Sequence, residues 1–212
     1  MNAPAVPGSP RRGRSVAWFV YNVLLTLLLP VGALYLIGRA LVQRRVLPHL
    51  RERLGAVAQR LAPVRGCTDP VLWVHAVSAG EVAAVAPIIH QIRLAEPMAH
   101  IVLSTTTETG REMVEKHSLD PEALIYFPFD LPWVVDRVLD LMSPDLLVLV
   151  ETELWPNLLD AARRRNIPVV VVNGRISDRS FRRARLIKPV YRWALSNVTA
   201  VCAQSQTDAD RF

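Results

Sequence analysis

Two short acidic segments carry residue types that can move a proton. Ser78 and Glu81 follow one apolar run within Ser-Ala-Gly-Glu, and Glu151 and Glu153 follow another within Glu-Thr-Glu-Leu-Trp-Pro. A carboxylate beside a sugar hydroxyl can accept its proton and act as a general base. The free amides at the start of a helix can hold an anionic group nearby. These segments therefore suit proton transfer from a hydroxyl to a carboxylate.

Both segments also have a structural interpretation. Ser-x-x-Glu is the capping box, in which Ser78 and Glu81 satisfy amides of the first helical turn. Gly80 is expected to let the chain turn tightly between them. In the second segment, one acid can cap the helix that follows while the other faces the cleft near Glu81. Spacing alone leaves the catalytic and the structural interpretation open at each segment.

The other polar loops have a capping or a binding interpretation. The threonines of residues 105–110 cap the next helix or line a cleft, and Asp130 is expected to be a helix N-cap. Arg175 opens a basic segment that is either a solvated helix face or a phosphate-binding surface. His75 is expected to be structural. The histidines and the two cysteines have no metal-ligand spacing, so the sequence predicts no metal site.

Alternating strand-like and helical patterns indicate how these loops are positioned. Apolar runs occupy residues 71–77, 100–105, 123–129, 145–150, 167–173 and 199–203, and helical patterns lie between them near 82–95, 108–117, 131–142, 155–165 and 181–196. Uninterrupted apolar runs are typical of parallel strands covered on both faces. The sequence therefore predicts an α/β fold with a Rossmann-like parallel sheet. Ligands of such sheets bind beyond the carboxyl ends of the strands, where the acidic segments lie.

The segment before the sheet is apolar. Residues 16–37 contain 22 positions without a charge, and a helix of that length covers a hydrocarbon core of about 30 Å. We predict a membrane anchor helix, although Pro30 and Gly32 leave a kinked or partly embedded helix open. Five arginines within residues 39–53 follow the segment and three precede it. The positive-inside rule then predicts a catalytic domain on the cytoplasmic side.

The distribution of charged residues along the chain indicates further segments. We predict a disordered basic arm over residues 1–15, a basic interfacial linker over 38–65 and a Rossmann-like domain over 66–212. Within the linker, residues 39–54 can equally be a packed helix of the next domain. Residues 1–65 hold 10 Arg and one acid, which favours an anionic membrane surface as partner. Nucleic acid is disfavoured because no aromatic stacking motif accompanies the arginines.

The loops together resemble those of bacterial 3-deoxy-D-manno-octulosonic acid (Kdo) transferases, specifically the N-terminal half of the lipid A-specific enzymes. That family has two Rossmann-like domains of the GT-B type. The matching stretches run in order along the chain, at residues 75–81, 105–110, 128–132, 151–157, 173–177 and 203–212. Ser-x-Gly-Glu alone is a weak motif, whereas its combination with Glu-x-Glu-Leu-Trp-Pro at this distance is specific.

The resemblance implies an inverting transfer of Kdo from CMP-Kdo to the lipid A precursor, lipid IVA, in lipopolysaccharide biosynthesis. It assigns Glu81 as general base and Glu151 as the carboxylate that stabilises the transition state. Ser78, Gly80 and Arg175 are expected to contact the acceptor. No metal and no other cofactor is implied.

The resemblance also implies a setting, the cytoplasmic face of the bacterial inner membrane. It further implies a C-terminal donor-binding domain that this chain lacks.

Two alternatives remain beside this hypothesis. The chain can belong to another membrane-associated GT-B transferase that acts on a lipid-linked sugar. It can also be a non-catalytic, membrane-tethered Rossmann module that only binds its ligand. The pair of acids Glu81 and Glu151 argues against a binding module, which has no need of two acids in one cleft.

Overall fold

The computed structural model describes residues 16–43 and 49–212. The arm predicted over residues 1–15 lies outside the described residues, as do Arg44 and Arg45, on which the predicted orientation partly rests. The helices are α1 (Val16–Gln43), α2 (Leu50–Arg53), α3 (Ala79–Ala95), α4 (Glu108–Lys116), α5 (Pro132–Met142), α6 (Pro156–Arg164), α7 (Asp178–Leu186), α8 (Lys188–Leu195) and α9 (Gln206–Arg211). The strands are β1 (Val71–His75), β2 (His100–Thr105), β3 (Ala123–Tyr126), β4 (Leu146–Val150), β5 (Val169–Gly174) and β6 (Ala200–Ala203).

The six strands form one parallel sheet in the order β3-β2-β1-β4-β5-β6. This confirms the predicted Rossmann-like α/β fold. The chain builds outward from β1 in one direction and then restarts at β4 in the other. The strand order therefore reverses between β1 and β4, which is where open α/β sheets hold their ligands.

Helices cover both faces of the sheet. On one face, Trp73 and Leu147 pack with the helices α5, α6 and α8. On the other face, Val74 and Val148 pack with α3 and α4. Because successive residues of a strand point to opposite faces, burial on both sides requires the uninterrupted apolar runs that the sequence contains.

Some predicted elements end elsewhere. The third strand ends at Tyr126, because the Phe129 N–H donates to the Arg53 carbonyl at 2.9 Å and not to β2. The helix predicted over residues 181–196 is two helices, α7 and α8, interrupted at Ile187. Pro189 lies in the first turn of α8, where its missing N–H costs nothing, but it cannot sit in a continuous helix without loss of a hydrogen bond.

Residues 49–65 belong to the packed domain. Val57, Leu61 and Val64 are buried in the core cluster under β1 and β3. The buried carboxylate of Glu52 accepts a hydrogen bond from the Tyr126 N–H at 3.1 Å. Of the two interpretations of this basic stretch, the described part therefore follows the packed one.

One side of helix α1 packs against the domain. It packs against α6 and α8, and its partly buried positions recur at helical spacing: Ala17, Trp18, Tyr21, Asn22, Leu25 and Leu29. Its other side exposes large apolar residues: Val16, Phe19, Val20, Val23, Leu24, Leu27, Leu28, Val31 and Leu34.

No helix within residues 16–43 and 49–212 combines the length and the apolarity that crossing a bilayer requires. The predicted segment 16–37 is helical, as expected. Its prediction as a membrane span is not supported. The polar side chains of Tyr21 and Asn22 reach groups of the domain instead.

Candidate active site at the strand-order switch

The two acidic segments meet at the carboxyl edge of the sheet. Strands β1 and β4 are hydrogen-bonded neighbours, in register from Leu72 with Leu146 to His75 with Leu149. Because they run parallel, the loops that follow them emerge side by side. The Glu81 carboxyl is buried there, and Glu151 and Glu153 are partly buried. The structure thus brings together Glu81 and Glu151, which sequence analysis selected.

Glu81 forms the capping box that its spacing predicts. The Ser78 hydroxyl oxygen accepts from the Glu81 N–H at 3.4 Å, and the same hydroxyl donates to Glu81 Oε1 at 3.0 Å. The Val77 N–H donates to Glu81 Oε2 at 2.8 Å. A carboxylate has about four acceptor positions, so these contacts leave Glu81 able to accept a further hydrogen bond. The capping role and a chemical role are compatible in this geometry.

The surroundings of Glu81 favour its protonated form. Burial raises the pKa of Glu81, and the hydrogen bonds from Val77 and Ser78 oppose that shift without cancelling it. The charge of Glu151 raises the pKa further. A carboxyl with a raised pKa is a stronger base once ionised, which is the requirement for accepting a proton from a hydroxyl near neutral pH.

Glu153 is a third carboxylate of the site, and the resemblance to Kdo transferases assigned no role to it. Burial, together with the charges of Glu81 and Glu151, raises its pKa from the ordinary value of 4.5 to about 7. A hydrogen bond from Trp155 Nε1 to Glu153 Oε2, at 3.0 Å, works in the opposite direction. The charge of Glu151 therefore acts on both Glu81 and Glu153, and near neutral pH Glu153 can retain a proton.

Neither of these acids caps α6, although the sequence left that interpretation open for one of them. The N-cap position of α6 is Trp155, whose side chain makes no capping bond. Asp130 caps α6 from the loop after β3, since its carboxylate accepts from the N–H groups of Asn157 and Leu158. Asp130 is thus a cap, as predicted, but not of the helix that follows it in sequence. No local pattern reveals this, because 27 residues separate Asp130 from Asn157.

The backbone of Glu151 has an unusual conformation. Its φ is 62°, in the left-handed region that non-glycine residues rarely adopt. Its N–H still donates to the Val172 carbonyl at 2.9 Å, so the sheet ladder continues to this residue. The next residue, Thr152, donates its hydroxyl to the Arg175 carbonyl. Such local strain concentrates at functional sites, where neighbouring contacts hold it in place.

The three residues expected to contact the acceptor differ in their settings. The Ser78 hydroxyl is engaged in the capping box. The Arg175 side chain is exposed, and in the described part of the chain it makes no ion pair with Glu81, Glu151 or Glu153. Its carbonyl nevertheless ties the loop after β5 to the loop after β4.

Gly80 does not serve the tight turn that the sequence suggested. Its φ is not positive, unlike those of Gly55 and Gly66. A Cβ atom at this position meets only the Ser78 Oγ, at 3.9 Å, which is an ordinary contact. The absent side chain instead leaves the first turn of α3 open beside Glu81.

An aromatic layer lies beneath the acids. The Trp155 ring packs on Phe127 with centroids 5.2 Å apart, and Phe127 stacks on His75 at 3.8 Å. Burial lowers the pKa of His75 to about 3, so its imidazole is neutral at physiological pH. Its Nδ1 lies 3.0 Å from the Ser104 Oγ, which also accepts from Trp73 Nε1. These contacts agree with a structural His75.

Other candidate chemistry is not apparent in the described residues. Within residues 16–43 and 49–212, no three His, Cys, Asp or Glu side chains are grouped so as to hold a metal ion. Cys67 and Cys202 are exposed and unpaired.

Comparison with known proteins identifies similar sequences. A family model described as 3-deoxy-D-manno-octulosonic-acid transferase (kdotransferase) matches residues 48–212. The 3-deoxy-D-manno-octulosonic acid transferase of Haemophilus influenzae is 32% identical over 195 residues, which cover 92% of this chain and 44% of that protein. The enzyme of the same name from Bordetella pertussis is 33% identical over 209 residues, covering 91% and 45%. The chain thus spans less than half the length of these relatives.

A solved structure supports the fold. A crystal structure described as a UDP-N-acetylglucosamine 2-epimerase from Listeria monocytogenes superposes with a TM-score of 0.52. It shares 8% sequence identity and covers 68% of this chain and 42% of its own. At this identity the likeness concerns the arrangement of strands and helices alone.

Proposed function

Because this chain belongs to the family of 3-deoxy-D-manno-octulosonic acid (Kdo) transferases, we propose that it is the acceptor-side part of a Kdo transferase of lipopolysaccharide biosynthesis. The reaction moves Kdo from CMP-Kdo to a hydroxyl of the lipid A precursor, lipid IVA, with inversion at the anomeric carbon. The observation that carries the proposal is the group of carboxyls at the strand-order switch, in which the pKa values of Glu81 and Glu153 are both raised.

Glu81 acts as the general base. The acceptor oxygen forms a bond to the anomeric carbon of Kdo while the bond from that carbon to the CMP phosphate breaks. CMP leaves with the electron pair, and the hydroxyl proton passes to Glu81. Burial of the carboxyl, together with the charge of Glu151, makes the ionised Glu81 a stronger base than a solvated carboxylate.

Glu151 stabilises the transition state. Positive charge develops on the sugar ring as the bond to CMP breaks, and a fixed carboxylate nearby stabilises that charge. The left-handed backbone of Glu151 and the hydrogen bond from Thr152 to Arg175 hold this loop in one conformation. A pre-organised charge needs little rearrangement at the moment of reaction.

The acceptor approaches over the first turn of α3. The open space at Gly80 and the Ser78 hydroxyl lie beside Glu81. Arg175 projects from the neighbouring loop and is exposed, so it is available for an anionic group of the acceptor. No metal and no other cofactor takes part in this mechanism.

The exposed side of α1 is the proposed contact with the membrane. Its large apolar residues, from Val16 to Leu34, form a continuous strip along a helix, and such strips bind the interface of a bilayer. The exposed Arg51 and Arg60 lie in the basic stretch that follows, which suits an anionic surface. We place the protein at the cytoplasmic face of the bacterial inner membrane, where its acceptor lipid is accessible.

The test uses the full-length protein that contains this chain. Purified enzyme is incubated with CMP-Kdo and lipid IVA, and the lipid product is measured by mass spectrometry. We expect the lipid to gain the mass of Kdo. Transfer only from another nucleotide sugar would favour a different GT-B transferase. Binding of lipid IVA without transfer from any donor would favour a binding module and overturn the proposal.

A further inference from the structure

Asp130 is a buried carboxylate in the loop after β3, and only 6% of it is exposed. Its Oδ1 accepts from the Leu158 N–H at 2.9 Å, and its Oδ2 accepts from the Asn157 N–H at 3.0 Å. The Tyr21 hydroxyl donates to the same Oδ2 at 2.9 Å. The Asn157 side-chain amide donates to the Asp130 carbonyl at 2.6 Å. Asp130 thus joins three separate parts of the chain.

These contacts determine where α6 begins. The helix has no cap of its own, and Pro156, its first residue, has no N–H. The first free amides are those of Asn157 and Leu158, which Asp130 caps. Unsatisfied amides at a buried helix start are costly, so the carboxylate fixes the helix relative to the loop after β3.

The start of α6 in turn determines the position of Glu153. Only Leu154 and Trp155 separate Glu153 from the helix, and Trp155 Nε1 holds the Glu153 carboxylate at 3.0 Å. The Trp155 ring also packs on Phe127, three residues before Asp130. Hence two groups contact the loop after β3: the Trp155 ring, which holds Glu153, packs on Phe127, and the start of α6 is capped by Asp130.

Helix α1 completes this network. Tyr21 binds Asp130, and the Asn22 and Asn157 side-chain amides donate to each other's oxygens at 2.9 and 3.0 Å. Tyr21 and Asn22 lie in the uncharged part of α1, and their side chains face the domain. Polar pairs of this kind specify the register in which a helix docks. The contact is therefore specific to one position of α1 on the domain.

We propose that Asp130 is a positioning residue for the acids after β4, and that Tyr21 and Asn22 make docked α1 part of the same hydrogen-bond network. The α1 helix then does more than bring the enzyme to its lipid: its docked position helps to hold Glu153, which lies two residues after Glu151 in the same loop, at the reaction site. This inference rests on the proposed function, because it concerns the geometry of that reaction.

The charge of Asp130 explains why all three donors matter. Burial raises its pKa to about 6, against the hydrogen bonds from Asn157, Tyr21 and Leu158 that lower it. Among the described residues no cation forms an ion pair with it. A buried carboxylate of this kind is stabilised by hydrogen bonds alone, so the loss of one donor disturbs the whole arrangement.

The experiment compares variants of the full-length enzyme in the transfer assay. Asp130→Asn keeps the shape but replaces an acceptor oxygen by a donor, and kcat is expected to fall about 10²-fold, the loss that a displacement of about 1 Å causes. Tyr21→Phe keeps the ring and removes one donor, and we expect a smaller loss of about tenfold. The KM values for CMP-Kdo and lipid IVA are expected to stay near those of the wild type.

The matched control is Tyr191→Phe on α8, which packs against α1. The Tyr191 hydroxyl has no hydrogen-bond partner among the described residues, so this variant is expected to keep its full kcat. The double variant of Tyr21 and Asp130 is expected to be no slower than Asp130→Asn alone, because both changes act through one contact.

Two results would overturn the inference. One is an unchanged kcat in Tyr21→Phe together with a lowered melting temperature, since that is the signature of a purely structural contact. The other is additive losses in the double variant. Tyr21→Phe alone decides the matter if Asp130→Asn does not fold. Failure of the wild type to transfer Kdo would instead count against the proposed function.

Discussion

The like charges grouped in the candidate site lower the free energy of unfolding. Burial of Glu153 and the nearby charges of Glu81 and Glu151 raise its pKa to about 7. The folded protein then binds more protons than the unfolded chain between pH 4.5 and 7. The free energy of unfolding therefore falls as the pH rises through this window. Such a cost is usual where selection favours chemistry over stability.

Neutralising Glu153 is expected to stabilise the protein. At pH 8, Glu153→Gln removes the repulsion and still accepts from Trp155. The melting temperature should rise by about 2–4 °C, the shift that about 1 kcal/mol produces at this size. At pH 4.5 the difference should disappear, because Glu153 is then protonated in the wild type. Thermal unfolding of both proteins as a function of pH measures the effect.

Glu122 provides the matched control, because its pKa is shifted in the opposite direction. Burial alone raises the pKa of Glu122, but hydrogen bonds from the Ile101 N–H and from Arg93 outweigh it, so the pKa is lowered. Its contribution to stability is present above the unfolded pKa and is lost as the pH falls. Glu122→Gln is thus expected to melt below the wild type at pH 8. A Glu153→Gln variant that also melts lower would contradict the repulsion account.

At the scale of elements, the sequence predicts the alternation of strands and helices well and their ends less well. The six apolar runs correspond to the six strands because burial on both faces requires such runs. Contacts between distant residues decide the rest. From the sequence, Glu151 or Glu153 could cap α6, whereas Asp130 supplies the cap from another loop. The burial of Glu153 and its contact with Trp155 likewise depend on how the loops pack, which the sequence does not reveal.

The Thr-rich turn after β2 offers a prediction about a helix cap. The Thr107 hydroxyl oxygen accepts from the Gly110 N–H at 3.1 Å and thereby caps α4. Thr107→Ala is expected to cost about 1 kcal/mol in the free energy of unfolding. Thr107→Ser should restore most of it, since serine caps equally well. Chemical denaturation measures both, with transfer activity recorded in parallel. A large loss of activity in both variants would indicate instead that Thr107 lines the cleft.

At the scale of the whole molecule, hydropathy cannot separate a helix that crosses a membrane from one that lies on a domain. The uncharged run over residues 16–37 fits both situations. Tyr21 and Asn22 are the local signals for docking, but their partners Asp130 and Asn157 are more than 100 residues away in sequence. The sequence likewise does not decide whether residues 49–65 lie at a lipid interface or pack on the domain. Arginines between apolar positions suit both a lipid interface and a solvated domain surface.

The exposed strip of α1 is expected to bind lipid. Leu27 and Leu28 are 67% and 62% exposed, on the side of the helix away from the domain. Replacing both with asparagine should reduce co-sedimentation of the full-length protein with anionic vesicles at least several-fold, because burying each leucine contributes about 1.5–3 kcal/mol. Leu94→Asn is the control, since Leu94 is also exposed, at 74%, but lies on α3. Equal losses in both proteins would show that α1 is not the contact.

The assignment of Glu81 as general base is the central claim, and one variant tests it directly. In the full-length enzyme, Glu81→Gln keeps the shape of the side chain and can still accept from the Val77 N–H, but it cannot take a proton. We measure transfer of Kdo from CMP-Kdo to lipid IVA together with thermal unfolding, and Glu112→Gln, an exposed change on α4, serves as the control.

We predict that Glu81→Gln lowers the transfer rate by about 10²–10⁴-fold and changes the free energy of unfolding by on the order of 1 kcal/mol or less. Glu112→Gln should leave both quantities unchanged. Transfer by Glu81→Gln within a few-fold of the wild type would contradict the account, since Glu81 would then be a helix cap only. Glu151 would in that case become the leading candidate for the base.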